Sequence, residues 1–258
     1  ADYSQTNIQV ENVDESDFVK NDGKYIYQIV QNKLVIVDAY PAEDAQILST
    51  TDISGQPIEF FINGNQLILF THDQDESLIL PQYEIIPQPS YKTLTRVYIY
   101  DLSDKSKPTI AKNYSVSGYF FDARMIGNNV YFVSKDDVYF YGPLLDVPMI
   151  REGSKIIAQP DIYYFENPEG NYVFHTVASI DLESEEIDAK SYMMGYSNTM
   201  YVSENAIYIA YQKNMPYRFY QHQNEDRFYS VIVPMLPSDV RSDIVSIKNE
   251  DITEYEKW

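Results

Sequence analysis

Four short stretches carry the reading of the fold: Gly23-Lys24-Tyr25-Ile26-Tyr27, Asn65-Gln66-Leu67-Ile68-Leu69, Asn129-Val130-Tyr131-Phe132 and Asn205-Ala206-Ile207-Tyr208. In each, a glycine or asparagine that tolerates a turn opens a run of apolar, β-branched or aromatic residues suited to a pleated strand. A pattern that recurs along a chain describes stacked units and leaves ligand and reaction open.

Working outward, Lys24 to Val30 and Lys33 to Asp38 read as a hairpin across Gln31-Asn32. Asp17 to Lys20 and Asp44 to Ser49 would flank it, making a four-stranded sheet. A second block begins at Ile58 to Ile62, turns at Asn63-Gly64, and returns as Gln66 to Thr71. Residues 72–93, with Pro81, Pro87 and Pro89, read as an irregular insertion before Thr95 to Asp101 and Thr109 to Val116 complete that block. A third block pairs Tyr119 to Ile126 with Asn129 to Ser134 across Gly127-Asn128. After a second long insertion, 135–171, Tyr172 to Leu182 resumes the strand pattern. The fourth block, Thr199 to Val202 and Ala206 to Tyr211, has only Phe228 to Val233 as a further candidate strand.

Equivalent residues of the return strands, Tyr25, Leu67, Tyr131 and Ile207, lie 42, 64 and 76 positions apart. With the two insertions removed the spacing is 42, 42 and 39, inside the roughly 40 to 50 residues of a four-stranded β-propeller blade. The expected fold is therefore all-β: a β-propeller of about four blades, the last incomplete, over residues 1–236. Four are too few to close a ring, so a seven- or eight-bladed whole is expected. From Ser238 and Asp239 onward, Val240, Ile244 and Ile247 recur at helical spacing, with Ile252 and Tyr255 in a possible second turn, so 237–258 reads as a helical segment.

Composition bounds the function. A net charge of −20 repels phosphate backbones and anionic lipid, which argues against nucleic-acid partners. The absence of cysteine removes disulfides, zinc-thiolate sites, iron-sulfur clusters and thiol nucleophiles. No apolar run approaches the length of about 20 residues that spans a bilayer. The start at Ala1-Asp2-Tyr3 instead of Met is read as a leader or anchor removed or left out.

The words of the sequence add a resemblance. Tyr3 to Val10, Val13 to Tyr27, Val35 to Pro41, Val97 to Asp104, Gly118 to Phe120, Ala123 to Gly127 and Asp161 to Phe165 resemble a secreted archaeal and bacterial β-propeller domain family, distantly related to WD40 repeats. The resemblance covers nearly the whole chain and implies an exported or cell-surface propeller; it carries no catalytic residue. Members of that family continue for several more blades, so this chain is similar to an amino-terminal half. Uncovered end sheets would then be met by the second half of the propeller or by self-association. In this view Thr6 to Val10 pairs with the missing half as an outer strand.

Candidate chemistry is sparse. His72, His175 and His222 are far apart in sequence, no Gly-x-Ser-x-Gly elbow accompanies a serine, and no phosphate-binding glycine loop is present. Asp73-x-Asp75-x-Ser77 with Glu84 has oxygen ligands at calcium-loop spacing, but Leu78 occupies the position that requires glycine and Pro81 interrupts the loop. A solvated acidic insertion is the other reading. Asp14, Glu15 and Asp17 suit a cation site, an interface clasp, or capping before a strand. Tyr139, Tyr141, Tyr163, Tyr164, Tyr217, Tyr220 and Tyr229 offer glycan or protein contact, or simply loop cover. Asn113-Tyr114-Ser115 matches a glycosylation acceptor pattern that is expected once by chance. Together these readings favour a non-enzymatic scaffold or protein/glycan-binding module without an obligatory cofactor, calcium being the one candidate ion. The alternative is an enzyme, metal-assisted or not, working from the propeller channel.

Overall fold

The computed structural model describes residues 8–79, 88–138, 140–141, 144–165, 169, 171–213 and 228–249. Glu84, Tyr139, Tyr217, Tyr220, His222, Ile252, Tyr255 and the first two residues of the Thr6–Val10 strand lie outside them. The chain divides into two compact units, 1–167 with 171–212, and 168–170 with 213–258.

The strands of the first unit are β1 (Asp14–Glu15), β2 (Val19–Asn21), β3 (Tyr25–Val30), β4 (Lys33–Asp38), β5 (Gln46–Asp52), β6 (Gln56–Asn63) and β7 (Gln66–Ile79). They continue with β8 (Gln88–Asp101), β9 (Thr109–Ser117), β10 (Tyr119–Ile126), β11 (Asn129–Asp137), β12 (Phe140–Tyr141), β13 (Leu144–Leu145) and β14 (Ile150–Glu152). The last are β15 (Lys155–Ala158), β16 (Asp161–Tyr164), β17 (Val173–Asp181), β18 (Glu186–Met194), β19 (Ser197–Ser203) and β20 (Ala206–Tyr211). The expected hairpins form at Gln31-Asn32 and Gly127-Asn128, and the one expected at Asn63-Gly64 turns one residue later, at Gly64-Asn65, because Asn63 pairs with Gln66. In each, the first loop residue sits in the left-handed region, Gln31 at φ 55°, Gly64 at 56° and Gly127 at 57°.

The first sheet is the meander β2-β3-β4-β5. The second runs β6-β7-β8-β9 and then adds β14 and β15; the third is β1-β10-β11-β17-β18-β16, with β16 parallel to β18. β19 and β20 form a fourth, two-stranded sheet, β12 and β13 a small ribbon, and none of these sheets closes on itself.

Three expectations need correction here. Most of 72–93 is not irregular: β7 and β8 pair residue for residue from Gln66 opposite Asp101 to Ile79 opposite Gln88, one long antiparallel hairpin. Its acidic residues are tolerated because neighbouring strands supply cations, as described below. Nor is 135–171 a detached excursion, since β14 extends the second sheet beside β9 and β16 extends the third beside β18. In the second unit, Phe228 to Val233 is helical and not a strand. β-rich composition makes a strand only where an open edge is available to pair with. Pro234, which lacks an N–H, fits the first turn of a helix there. Helix α1 follows at Ser238–Lys248, and Arg241 donates to the carbonyls of Pro234 and Leu236 at 3.0 Å.

Apolar residues of neighbouring sheets form two buried layers. Tyr27, Leu34 and Ile36 of the first sheet meet Phe60, Leu67, Leu69, Tyr98 and Tyr100 of the second. The second sheet's other face, Phe61, Ile68, Phe70, Val97 and Ile99, packs on Ala123, Val130, Phe132, Ala178 and Ile180 of the third. The second sheet is covered on both faces, so Leu67-Ile68-Leu69-Phe70 is an unbroken apolar run where a half-solvated strand would alternate.

A backbone repeat also emerges. The opening strands of the second, third and fourth sheets each hold one unpaired extra residue, Ile58, Phe121 and Asn198. Each bulge lies six positions before its turn residue, Gly64, Gly127 or Glu204.

Candidate functional site

The segment preceding the first sheet is drawn into the other two. β1 pairs with β10, Asp14 opposite Met125 and Glu15 opposite Arg124, and Asp17 exchanges backbone hydrogen bonds with Phe60 of β6 before the chain enters β2. The eight residues Asp14 to Asn21 thus touch the opening strands of three sheets, and charged side chains follow them inward.

Lys20 is 6% exposed and donates to Asp14 Oδ1 at 2.8 Å and to the carbonyl of Glu15 at 2.5 Å. Its ammonium also lies 5.8 Å from the centre of the Phe61 ring. Arg124, 7% exposed, donates to Asp122 Oδ1 at 2.6 Å and lies 3.6 Å from Glu15. Ser16 Oγ donates to Glu59 at 2.5 Å. Burial pushes the Glu59 carboxyl up, against the pull of the Ser16 hydroxyl.

Beside this network opens a cleft of about 660 Å³ where the turns of the first three sheets meet. Its walls include Asn12, Asp22, Lys24, Tyr25, Asn65 and Lys105. Lys24 and Lys105 place their ammonium groups 4.9 and 5.1 Å from the Tyr25 ring centre. Burial would raise the Asp22 carboxyl, but the N–H of Tyr25 and the hydroxyl of Tyr27 hold it below its ordinary value. The cleft therefore offers cations flanking an aromatic face beside a fixed carboxylate, an arrangement that binds polar groups.

The carboxylates singled out in the sequence are distributed among different partners. Asp14 goes to Lys20, Glu15 to Arg124, and Asp17 Oδ1 accepts the N–H of Phe18 at 2.7 Å. Asp73 pairs with Arg96 of β8, and Asp75 with Arg151 of β14. Ser77 is in β7, where it faces Ser90 in register. Among the described residues, no three His, Cys, Asp or Glu side chains are grouped as they would be around one ion.

His72 stands edge-on to Tyr119 with ring centres 5.7 Å apart, whereas His175 is fully buried in the third sheet, where burial pushes it down to about 4. Tyr163 stacks on Tyr192 at 5.5 Å, and Ile162, Tyr164 and Phe165 are exposed along the same edge of the third sheet. Asn113 and Ser115, of the acceptor-like triplet, lie in the middle strand β9, and Ser115 is buried. Lys20, Glu59, Asp122, Arg124 and Arg151 were not legible as site residues. Their only sequence signal is a lone charge beside apolar strand residues.

A sequence-family model described as a β-propeller domain matches residues 3–250. The chain belongs to that family. It is 26% identical over 263 residues to an uncharacterized protein of Archaeoglobus fulgidus, covering 99% of this chain and 39% of the relative. It is 24% identical over 268 residues to an uncharacterized protein of Methanocaldococcus jannaschii, covering 99% and 36%. The chain thus spans less than half the length of these curated relatives. No solved structure matches it.

Proposed function

We propose that the chain is an exported or cell-surface, non-enzymatic scaffold and binding module, about four blades of a seven- or eight-bladed propeller that further propeller sheets complete. One observation carries the reading. Among the described residues the fourth sheet is a two-stranded hairpin, on which Tyr201 and Tyr208, rings 5.9 Å apart, are 47% and 57% exposed. A two-stranded sheet is marginal in water unless something covers it.

Its opening edge is already held to the third sheet. Lys135 donates to the carbonyl of Ser197 at 2.9 Å, and its ammonium lies 4.0 Å from the Phe121 ring centre and 4.4 Å from that of Tyr196. The opposite edge, β20, has no neighbour among the described strands. The relatives' additional length supplies a natural source for the covering sheets. A scaffold role is supported by the inner charges, which are spent on tying sheets together, and a contact role by the exposed aromatic edge at Ile162, Tyr164 and Phe165.

Hydrogen exchange tests this reading. β19 and β20 amides are expected to exchange fast in the isolated 258-residue chain and to be protected in the protein purified natively from its cells. Fast exchange in both would overturn it.

A further inference from the structure

We propose that a second cavity, on the second sheet, is a binding site for a neutral sugar. The cavity, about 380 Å³, is lined by Asp75, Leu94, Arg96, Asn113, Ser115 and Arg151, with the Gly153-Ser154 turn at its rim. It stands apart from the cleft where the first three sheets meet. Its size falls within the range of small-molecule sites, roughly 300 to 1,000 Å³.

Register builds the site. Arg96 of β8, Ser115 of β9 and Arg151 of β14 are directly opposed across three adjacent strands and so share one face of the sheet. Asn113 and Leu94, two residues from Ser115 and Arg96 respectively, lie on that same face. The floor is incompletely satisfied: the Ser115 hydroxyl and the Asn113 side-chain oxygen are buried and have no hydrogen-bond partner among the described residues. Ser115 as a whole is only 2% exposed. Buried oxygens without partners are uncommon and costly, so they call for a guest that can bond to them.

Charge decides the class of guest. Asp73 binds Arg96 through Nε, and Asp75 binds Arg151 through one terminal nitrogen. Two guanidiniums are thus matched by two carboxylates. An anion would compete with Asp73 and Asp75, and a cation with Arg96 and Arg151. Each guanidinium has five N–H donors and, among the described residues, is pinned through one, leaving donors to spare beside the Asn113 and Asp75 acceptors. A hydroxyl both donates and accepts, so a neutral polyol satisfies donors and acceptors together, while Leu94 offers an apolar wall to the C–H face of a sugar ring.

This inference rests on the reading of the chain as a binding module, but its test does not depend on whether further sheets complete the ring. Saturation-transfer NMR and calorimetry would use methyl glucoside, methyl mannoside, methyl galactoside and maltose, with sulfate and spermidine as charged controls. At least one neutral sugar is expected to bind, with neither control displacing it. Asn113→Leu removes an unpartnered oxygen without breaking an ion pair, and should weaken binding about tenfold while thermal unfolding is unchanged or improved. Ser115→Ala should weaken it as well. Absence of binding by all four sugars, preferential binding of sulfate or spermidine, or sugar binding indifferent to both substitutions would overturn the proposal.

Discussion

Lys20 and Asp14 belong to different sheets, yet the ammonium of the first meets the carboxylate of the second at 2.8 Å, with Lys20 only 6% exposed. The pair ties β2 of the first sheet to β1, which is paired into the third. A buried ion pair adds little net stability over an apolar pair, but breaking it strands a buried charge. Its effect is to select which sheets meet.

Asp14→Ala should therefore lower stability by about 3 kcal/mol, because the buried Lys20 ammonium loses the Asp14 carboxylate. Lys20→Met should cost less, and adding it to Asp14→Ala should recover part of the loss. Urea unfolding of the four proteins in this double-mutant cycle measures the coupling. Simple additivity would show that the pair does not act as a clamp.

Gly118 and Gly64 should respond differently to alanine. Gly118 has φ 95°, and an added Cβ would stand 2.4 Å from the Lys135 carbonyl oxygen on the neighbouring strand. Gly64 has φ 56° with nothing within 4 Å. Gly64→Ala should cost about 1 kcal/mol, the strain of a left-handed backbone alone. Gly118→Ala adds a backbone clash, and its midpoint in thermal unfolding should fall several times further.

His175 predicts an acid limb. Burial holds its folded value at about 4, against an ordinary 6.5. Below pH 6.5 the unfolded chain binds a proton that the folded chain refuses. Its contribution is present above pH 6.5 and is lost as pH falls towards 4, by up to about 3 kcal/mol. Asp136 works in the opposite sense: burial, opposed by Lys92, raises it to about 6, so its contribution is present below pH 3.8 and lost as pH rises through 6. The stability difference between His175→Phe and the parent should grow in the variant's favour from pH 6.5 down to 4. A constant difference over that window would rule out His175 as the titrating group.

The regular strand pattern was open to sequence reading because its causes are local: alternation, β-branched and aromatic residues, and Asn-Gly or Gly-Asn at the turns. The long hairpin from Gln66 to Asp101 was not, because Asp73 and Asp75 read as loop residues until Arg96 and Arg151 are placed beside them. Phe228 to Val233 misled in the other direction, a strand-like composition that folded as helix. The candidate site was the least legible part. Lys20 and Arg124 have no motif, and their role exists only because β1 pairs with β10.

Sequence by itself determined the local units: where hairpins turn, which residues line a strand, and that the strands recur at blade-sized intervals. Tertiary structure alone decided that β1 enters the third sheet, that β14 joins the second, and that β16 runs parallel beside β18. It also decided that Ile58, Phe121 and Asn198 share one bulge although no side-chain type marks it. A turn is chosen by a few neighbouring torsions. An edge pairing is chosen by which backbone N–H and C=O groups the rest of the molecule leaves open, and a buried charge by which counter-charge that pairing brings within reach.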